Sequence, residues 1–243
     1  MLPNTPIQFE HVFKTYSIDI HNKSTALIDL SFSVKQGEVF GIIGPNGAGK
    51  STALNILLGF VFLDKGSVTI AGKRPNSTSC NLEVGYLAEN PCLYRNLTLT
   101  EHLRFAGTVA GYSSVASRKR IEELLFQVDL AHVANKKIRH FSKGMTQRAA
   151  LAYALFHKPK ILILDEPMSG LDPVGRKMVI DIICDYNKAG NTVLFCSHIL
   201  TDVQRICDRI GIMNKGKMDQ ILNSIDITDE KNLETIFIQT VSR

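Results

Sequence analysis

Eight consecutive residues, Gly44-Pro45-Asn46-Gly47-Ala48-Gly49-Lys50-Ser51, constrain this chain more than any other feature. They fit the pattern G-x-x-x-x-G-K-[ST]. The turn Lys35-Gln36-Gly37-Glu38 leads into the apolar run Val39-Phe40-Gly41-Ile42-Ile43, which reads as a buried strand, and residues from about Lys50 to Gly59 read as a helix. Glycines let successive backbone N–H groups converge on phosphate oxygens, and the helix that follows turns its positive end toward the same anion. Lys50 is placed to reach the β- and γ-phosphates of a nucleotide, with the Ser51 hydroxyl beside Mg²⁺ and Thr52 next to it. A glycine-rich turn that merely feeds a helix is the plain alternative.

Strand and helix signals alternate through the rest of the chain, which indicates α/β architecture. Ile7 to Val12, Ser31 to Val34, Ser67 to Ile70 and Val84 to Leu87 read as strands. Between Pro91 and Pro159 the texture turns helical, with Thr100 expected to cap one helix and Ser117 another, whose Ile121, Leu124, Leu125 and Val128 recur at helical spacing. Strands resume at Ile161 to Leu164 and Thr192 to Cys196, joined by a helix from about Pro173 to Ala189. Ile210 to Met213 and Met218 to Leu222 flank the hairpin turn Asn214-Lys215-Gly216-Lys217. The tail from Thr228 carries Leu233, Ile236 and Phe237 at helical spacing.

With 243 residues, 44% of them hydrophobic, the chain can bury a substantial core without staples. Its charge of +5 is not gathered into runs, so no nucleic-acid partner is expected. The five cysteines, Cys80, Cys92, Cys184, Cys196 and Cys207, contain no C-x-x-C pair, which suits a reducing compartment better than a disulfide framework or a zinc site. Residues 1–6 lack the basic and apolar regions of a signal peptide. The longest apolar stretch, Ala53 to Leu63, falls short of the ~20 residues that a membrane span needs.

Two further positions carry chemistry. Asp165 and Glu166 end a buried strand, the edge of a parallel sheet where ligands bind. Asp165 is the expected partner of Mg²⁺, directly or through water, and Glu166 is placed to polarise a water aimed at the γ-phosphate. Asp-Glu-Pro also makes a sensible solvated turn. Ser197-His198 ends the next strand, where His198 would bond the γ-phosphate and hold the attacking water, or serve as a surface residue.

These elements, in this order, resemble the nucleotide-binding subunit of ATP-binding cassette (ABC) transporters. The discriminating piece is Phe141-Ser142-Lys143-Gly144-Met145-Thr146-Gln147-Arg148, which is similar to the family's signature motif, usually L-S-G-G-Q with a basic-Gln-Arg ending. Ser169-Gly170-Leu171-Asp172 resembles its D-loop, Tyr16 falls where the family stacks an aromatic ring on adenine, and Asn232 to Phe237 resembles its usual ending. The resemblance implies a P-loop NTPase fold: a RecA-like core with an antiparallel β subdomain, about residues 1–88 and 160–222. A helical signature subdomain over about 89–159 and a closing helix over about 228–240 complete the implied single domain. It also implies ATP and Mg²⁺ as ligands, and a second, identical or related cassette whose Ser142, Gly144 and Asp172 complete each ATP site. Integral-membrane permease subunits would hold this chain at the inner face of the cell membrane.

The chain departs from the family pattern in two places. Phe141, Lys143 and Met145 replace Leu, Gly and Gln in the signature, a form similar to the ABC-2-type exporter subgroup. Glu89 stands where the family usually has Gln; it can accept from Mg²⁺-bound water but cannot donate an amide hydrogen bond. The segment from Glu89 to Gly111 is expected to pass motion to a permease. A soluble ABC-type ATPase acting on a non-transport complex is the rival reading, although such proteins usually carry a long coiled coil or two tandem cassettes. The N-K-x-D pattern of guanine-reading proteins is missing, since Asn135-Lys136-Lys137-Ile138 and Asn214-Lys215-Gly216-Lys217 both lack the Asp.

Overall fold

The computed structural model describes residues 2–17, 19, 22–75, 83–227 and 230–242, with only the backbone of 230–232. Cys80 and Thr228 lie outside these residues, and Cys92, Cys184, Cys196 and Cys207 are free thiols.

The chain opens with two long antiparallel strands, β1 (Ile7–Ser17) and β2 (Lys23–Val34), and then enters the core through β3 (Val39–Ile43). Helix α1 (Lys50–Leu57) follows the glycine-rich loop and stops two residues short of Gly59; strands β4 (Lys65–Ile70) and β5 (Val84–Leu87) come next. Three helices precede the next strand: α2 (Leu99–Val109), α3 (Ser114–Gln127) and α4 (Lys143–Leu155). The order then runs β6 (Ile161–Asp165), α5 (Pro173–Lys188), β7 (Thr192–Cys196), α6 (Leu200–Ile206), β8 (Arg209–Asn214), β9 (Lys217–Asn223) and α7 (Glu230–Val241).

Two sheets result. The larger has the order β5-β6-β7-β3-β8-β9, parallel except for the final β8–β9 hairpin; the smaller is antiparallel, β2-β1-β4. Strands β3, β6 and β7 are buried at every position because both faces of the large sheet are covered. Alternate residues serve different cores. Val39, Ile43, Leu162, Leu164, Val193 and Phe195 join the helical side, whereas Phe40, Ile42, Ile161, Ile163, Leu194 and Cys196 face α1 and the small sheet.

Local chemistry sets the helix starts, and two differ from the sequence reading. The cap of α2 is Thr98, not Thr100: Thr98 Oγ1 accepts from the Glu101 N–H while the Glu101 carboxylate accepts from the Thr98 N–H. This reciprocal box needs three residues of separation, which Thr98 has from Glu101 and Thr100 lacks. Thr100 instead donates its hydroxyl to the Ala134 carbonyl. Helix α3 is capped by Ser113 rather than Ser117, which is buried against Gly107 where the two helices approach closely. Thr98→Ala is expected to destabilise the chain by about 1 kcal/mol, read as a lower midpoint in urea with an unchanged slope.

Candidate nucleotide site

The parallel strands end in register, and this register assembles the site. Ile42 and Asp165 both sit opposite Cys196, so the loops after β3, β6 and β7 emerge side by side. Within the first loop, Gly49 adopts φ 101° and a Cβ there would lie 2.6 Å from the Ala26 carbonyl oxygen, so only glycine fits. No side chain caps α1, so the first N–H groups of this helix remain available to an anion. Lys50 Nζ folds back to donate to the carbonyls of Gly44 (2.6 Å) and Pro45 (3.1 Å), which holds the ammonium over the loop. The hairpin supports the loop from behind, with the Gly216 N–H donating to the Ala48 carbonyl at 3.0 Å.

Asp165 is only 6% exposed at the end of β6. Burial first, and then the carboxylates of Glu166 and Glu89, push its pKa up to about 6, against the opposing pull of Lys50. Glu166 follows with φ 48°, a left-handed turn that carries its side chain away from the strand direction. Its N–H donates to Cys196 O at 2.9 Å, and its carbonyl accepts from the Ser169 N–H at 3.0 Å. His198 Nδ1 lies 2.8 Å from Glu166 Oε2, so carboxylate and imidazole form a pair. The His198 side chain stays 61% exposed on the open side of that pair.

Tyr16, Gly44 to Thr52, Glu89, Asp165, Glu166 and His198 line one open cleft of about 730 Å³. Ser51 and Asp165 bring two hard oxygen donors to it, and among the described residues no three His, Cys, Asp or Glu side chains converge on a metal position. That donor set fits Mg²⁺, which takes one or two protein oxygens and completes its octahedron with phosphate and water.

Ser142, Gly144 and Asp172 do not line this cleft. Ser142 is the exposed N-cap of α4, its Oγ accepting from the Met145 N–H at 3.2 Å. Helix α4 runs from Lys143 to Leu155. Gly144 packs in the first turn of α4 against Gly170 and Leu171, and Asp172 caps α5 by accepting from the Gly175 N–H at 2.7 Å. Phe237 was not expected at the cleft but lines it, because α7 packs against α6, the helix that starts two residues after His198. Its helical spacing with Leu233 signals packing, and nothing local in sequence places its ring beside a phosphate loop.

The ABC transporter family profile matches residues 27–169. The linearmycin resistance ATP-binding protein LnrL of Bacillus subtilis is 37% identical over 238 residues, which cover 97% of this chain and 75% of LnrL. The lantibiotic transport ATP-binding protein SrtF of Streptococcus pyogenes is 36% identical over 217 residues, 89% of this chain and 91% of SrtF. Across other such relatives the chain spans as little as 64% of their own length. A solved dimeric structure of the ATP-binding cassette MJ0796, in a post-hydrolysis state with ADP and Pi, superposes with a TM-score of 0.82. It shares 27% identity and covers 90% of this chain and 98% of that one. The chain belongs to the ABC transporter family, as an ATP-binding and ATP-hydrolysing subunit.

Proposed function

We propose that this chain powers the outward movement of a substrate through separate permease subunits, by closing on a second cassette around ATP. The observation that carries this reading is the division of the motif residues. Lys50, Ser51, Asp165, Glu166 and His198 share one cleft, while Ser142 and Gly144 lie at the start of another helix outside it. A signature turned away from its own nucleotide cleft suits a head-to-tail dimer, in which α4 of the opposite chain points its positive end at the γ-phosphate. Tyr16 would stack on the adenine, and Asp172 would face the opposite site from the start of α5.

Within each site, Lys50 and the loop N–H groups hold the β- and γ-phosphates. Glu166 takes the proton of the attacking water, and His198, paired with it, keeps that water in line. Ser51 and Asp165 would hold Mg²⁺, with Glu89 able to accept from a water on it, and the bound cation would supply positive charge against the phosphates.

No helix of the described residues is long and apolar enough to cross a membrane, which accords with a transport path on other chains. A second groove of about 660 Å³ runs from Glu89 to Tyr94 on one side and Arg139 to Gln147 on the other. Glu89 borders both this groove and the nucleotide cleft. A permease loop seated there, at the inner face of the membrane, would feel nucleotide binding through that one residue. The names of LnrL and SrtF, a resistance protein and a lantibiotic transport protein, support outward movement.

Mixing two inactive variants tests the shared site. Ser142→Arg keeps Lys50, and Lys50→Ala keeps Ser142, so each homodimer lacks both sites while the mixed dimer regains one. Random pairing is expected to restore roughly a quarter of the unmodified ATPase rate. A mixture no more active than its components overturns the two-chain site.

A further inference from the structure

The departure at Lys143 has a structural counterpart. In place of the family's usual glycine, Lys143 opens α4 and lays its side chain over the turn after Glu166. Its Nζ donates to Ser169 Oγ at 3.1 Å. Its alkyl stem crosses Gly170 so closely that a Cβ on that residue, which has φ +73°, would lie 2.6 Å from Lys143 Cδ. One residue on, a Cβ on Gly144 would lie 3.3 Å from the Gly170 carbonyl. One turn further along α4, the buried Gln147 points its amide at the Glu166 carbonyl, 3.4 Å away. The first two turns of α4 therefore rest on residues 166–171, and Lys143 adds a hydrogen bond and an aliphatic cover that glycine lacks.

We propose that Lys143 is a positioning residue that straps the D-loop to the signature helix, so that Ser142, Gly144 and Asp172 meet the opposite subunit as one preset face. This role rests on the two-chain site proposed above. In the separate chain the solvent-exposed Lys143–Ser169 bond adds little to folding stability, and the aliphatic stem packed across Gly170 does most to hold the turn in place. When a second chain covers this face, water leaves and the same bond strengthens. A preset face also loses less conformational entropy on closing. Because Lys143 lines the permease groove as well, a loop seated in that groove would touch the strap directly.

The test uses the full chain carrying Glu166→Gln, with ATP-dependent dimerisation followed by sedimentation. Lys143→Ala is expected to raise the ATP concentration for half-maximal dimer about five- to tenfold, with binding of a fluorescent ADP analogue to the monomer unchanged. Lys143→Arg keeps donor and stem and is expected to stay within about twofold of its parent. Ser169→Ala should weaken the dimer less than Lys143→Ala, and the double variant should be no worse than Lys143→Ala alone, since both remove one contact. Unchanged dimerisation in Lys143→Ala, or effects that simply add, overturns the strap. A Glu166→Gln parent that never dimerises with ATP overturns the two-chain site beneath it, and the strap with it.

Discussion

Replacing Glu166 with Gln lowers ATP turnover by about 10²- to 10³-fold and leaves ATP affinity within about twofold, if this carboxylate takes the water's proton. Gln preserves the volume of a side chain that is 11% exposed and tolerates the same left-handed backbone, so folding should be little affected. The lost function is acceptance of a proton. His198 Nδ1 then faces an amide in place of a carboxylate, so His198→Ala added to Glu166→Gln should cost far less than it does alone. ATP binding rests on Lys50 and the phosphate loop, which Gln does not touch, so the closed dimer should accumulate with intact ATP. Phosphate release and size-exclusion chromatography with ATP and Mg²⁺ check both halves. Turnover within threefold of the unmodified chain would remove Glu166 from proton transfer.

The sequence discloses the parts of this site that are local. The phosphate loop is legible because its glycines, lysine and serine are contiguous and stand between a strand and a helix. Strands β3, β6 and β7 are legible because burial on both faces demands apolar residues at every position, as in Ile161 to Leu164. Strands β1 and β2 run well past the stretches expected from their alternation, to 11 and 12 residues. Their outer ends are exposed and interrupted by register shifts, with left-handed residues at His11 and Asp29, and these features erase a period-two pattern. Helix starts failed wherever several hydroxyl residues compete. Thr98 and Thr100, or Ser113 and Ser117, differ only in which one finds a partner three residues on, and Glu101 already marked Thr98. What remained illegible is long-range. Phe237 reaches the cleft and Lys143 reaches Ser169 only after the chain has folded, and neither spacing repeats a pattern that a sequence displays.

Asp165→Asn should make the nucleotide-free chain more stable while reducing hydrolysis at least about 100-fold, the opposite pairing to an ordinary core substitution. The stability gain follows from linkage. The Asp165 pKa rises from an ordinary 3.8 to about 6, so between these values the folded chain holds a proton that the unfolded chain has released. Folding stability therefore falls as pH climbs through that window, and the full deficit, about 3 kcal/mol at most, is present at pH 7. Asn removes the charge, and its amide can donate to the neighbouring carboxylates of Glu166 or Glu89. A gain of about 1–3 kcal/mol should raise Tm at pH 7.5 by about 3–9 °C in a chain of this length, and should shrink toward zero near pH 4, where Asp165 is itself neutral. Adding ATP and Mg²⁺ should reverse the order, because only the carboxylate form binds the cation tightly and ligand binding stabilises the chain that binds best. Differential scanning calorimetry of both chains, with and without ligand, reads all three effects. A lower Tm for Asp165→Asn at pH 7.5 without ligand would mean that this carboxylate is held by favourable contacts, and that burial beside Glu166 and Glu89 does not destabilise the fold.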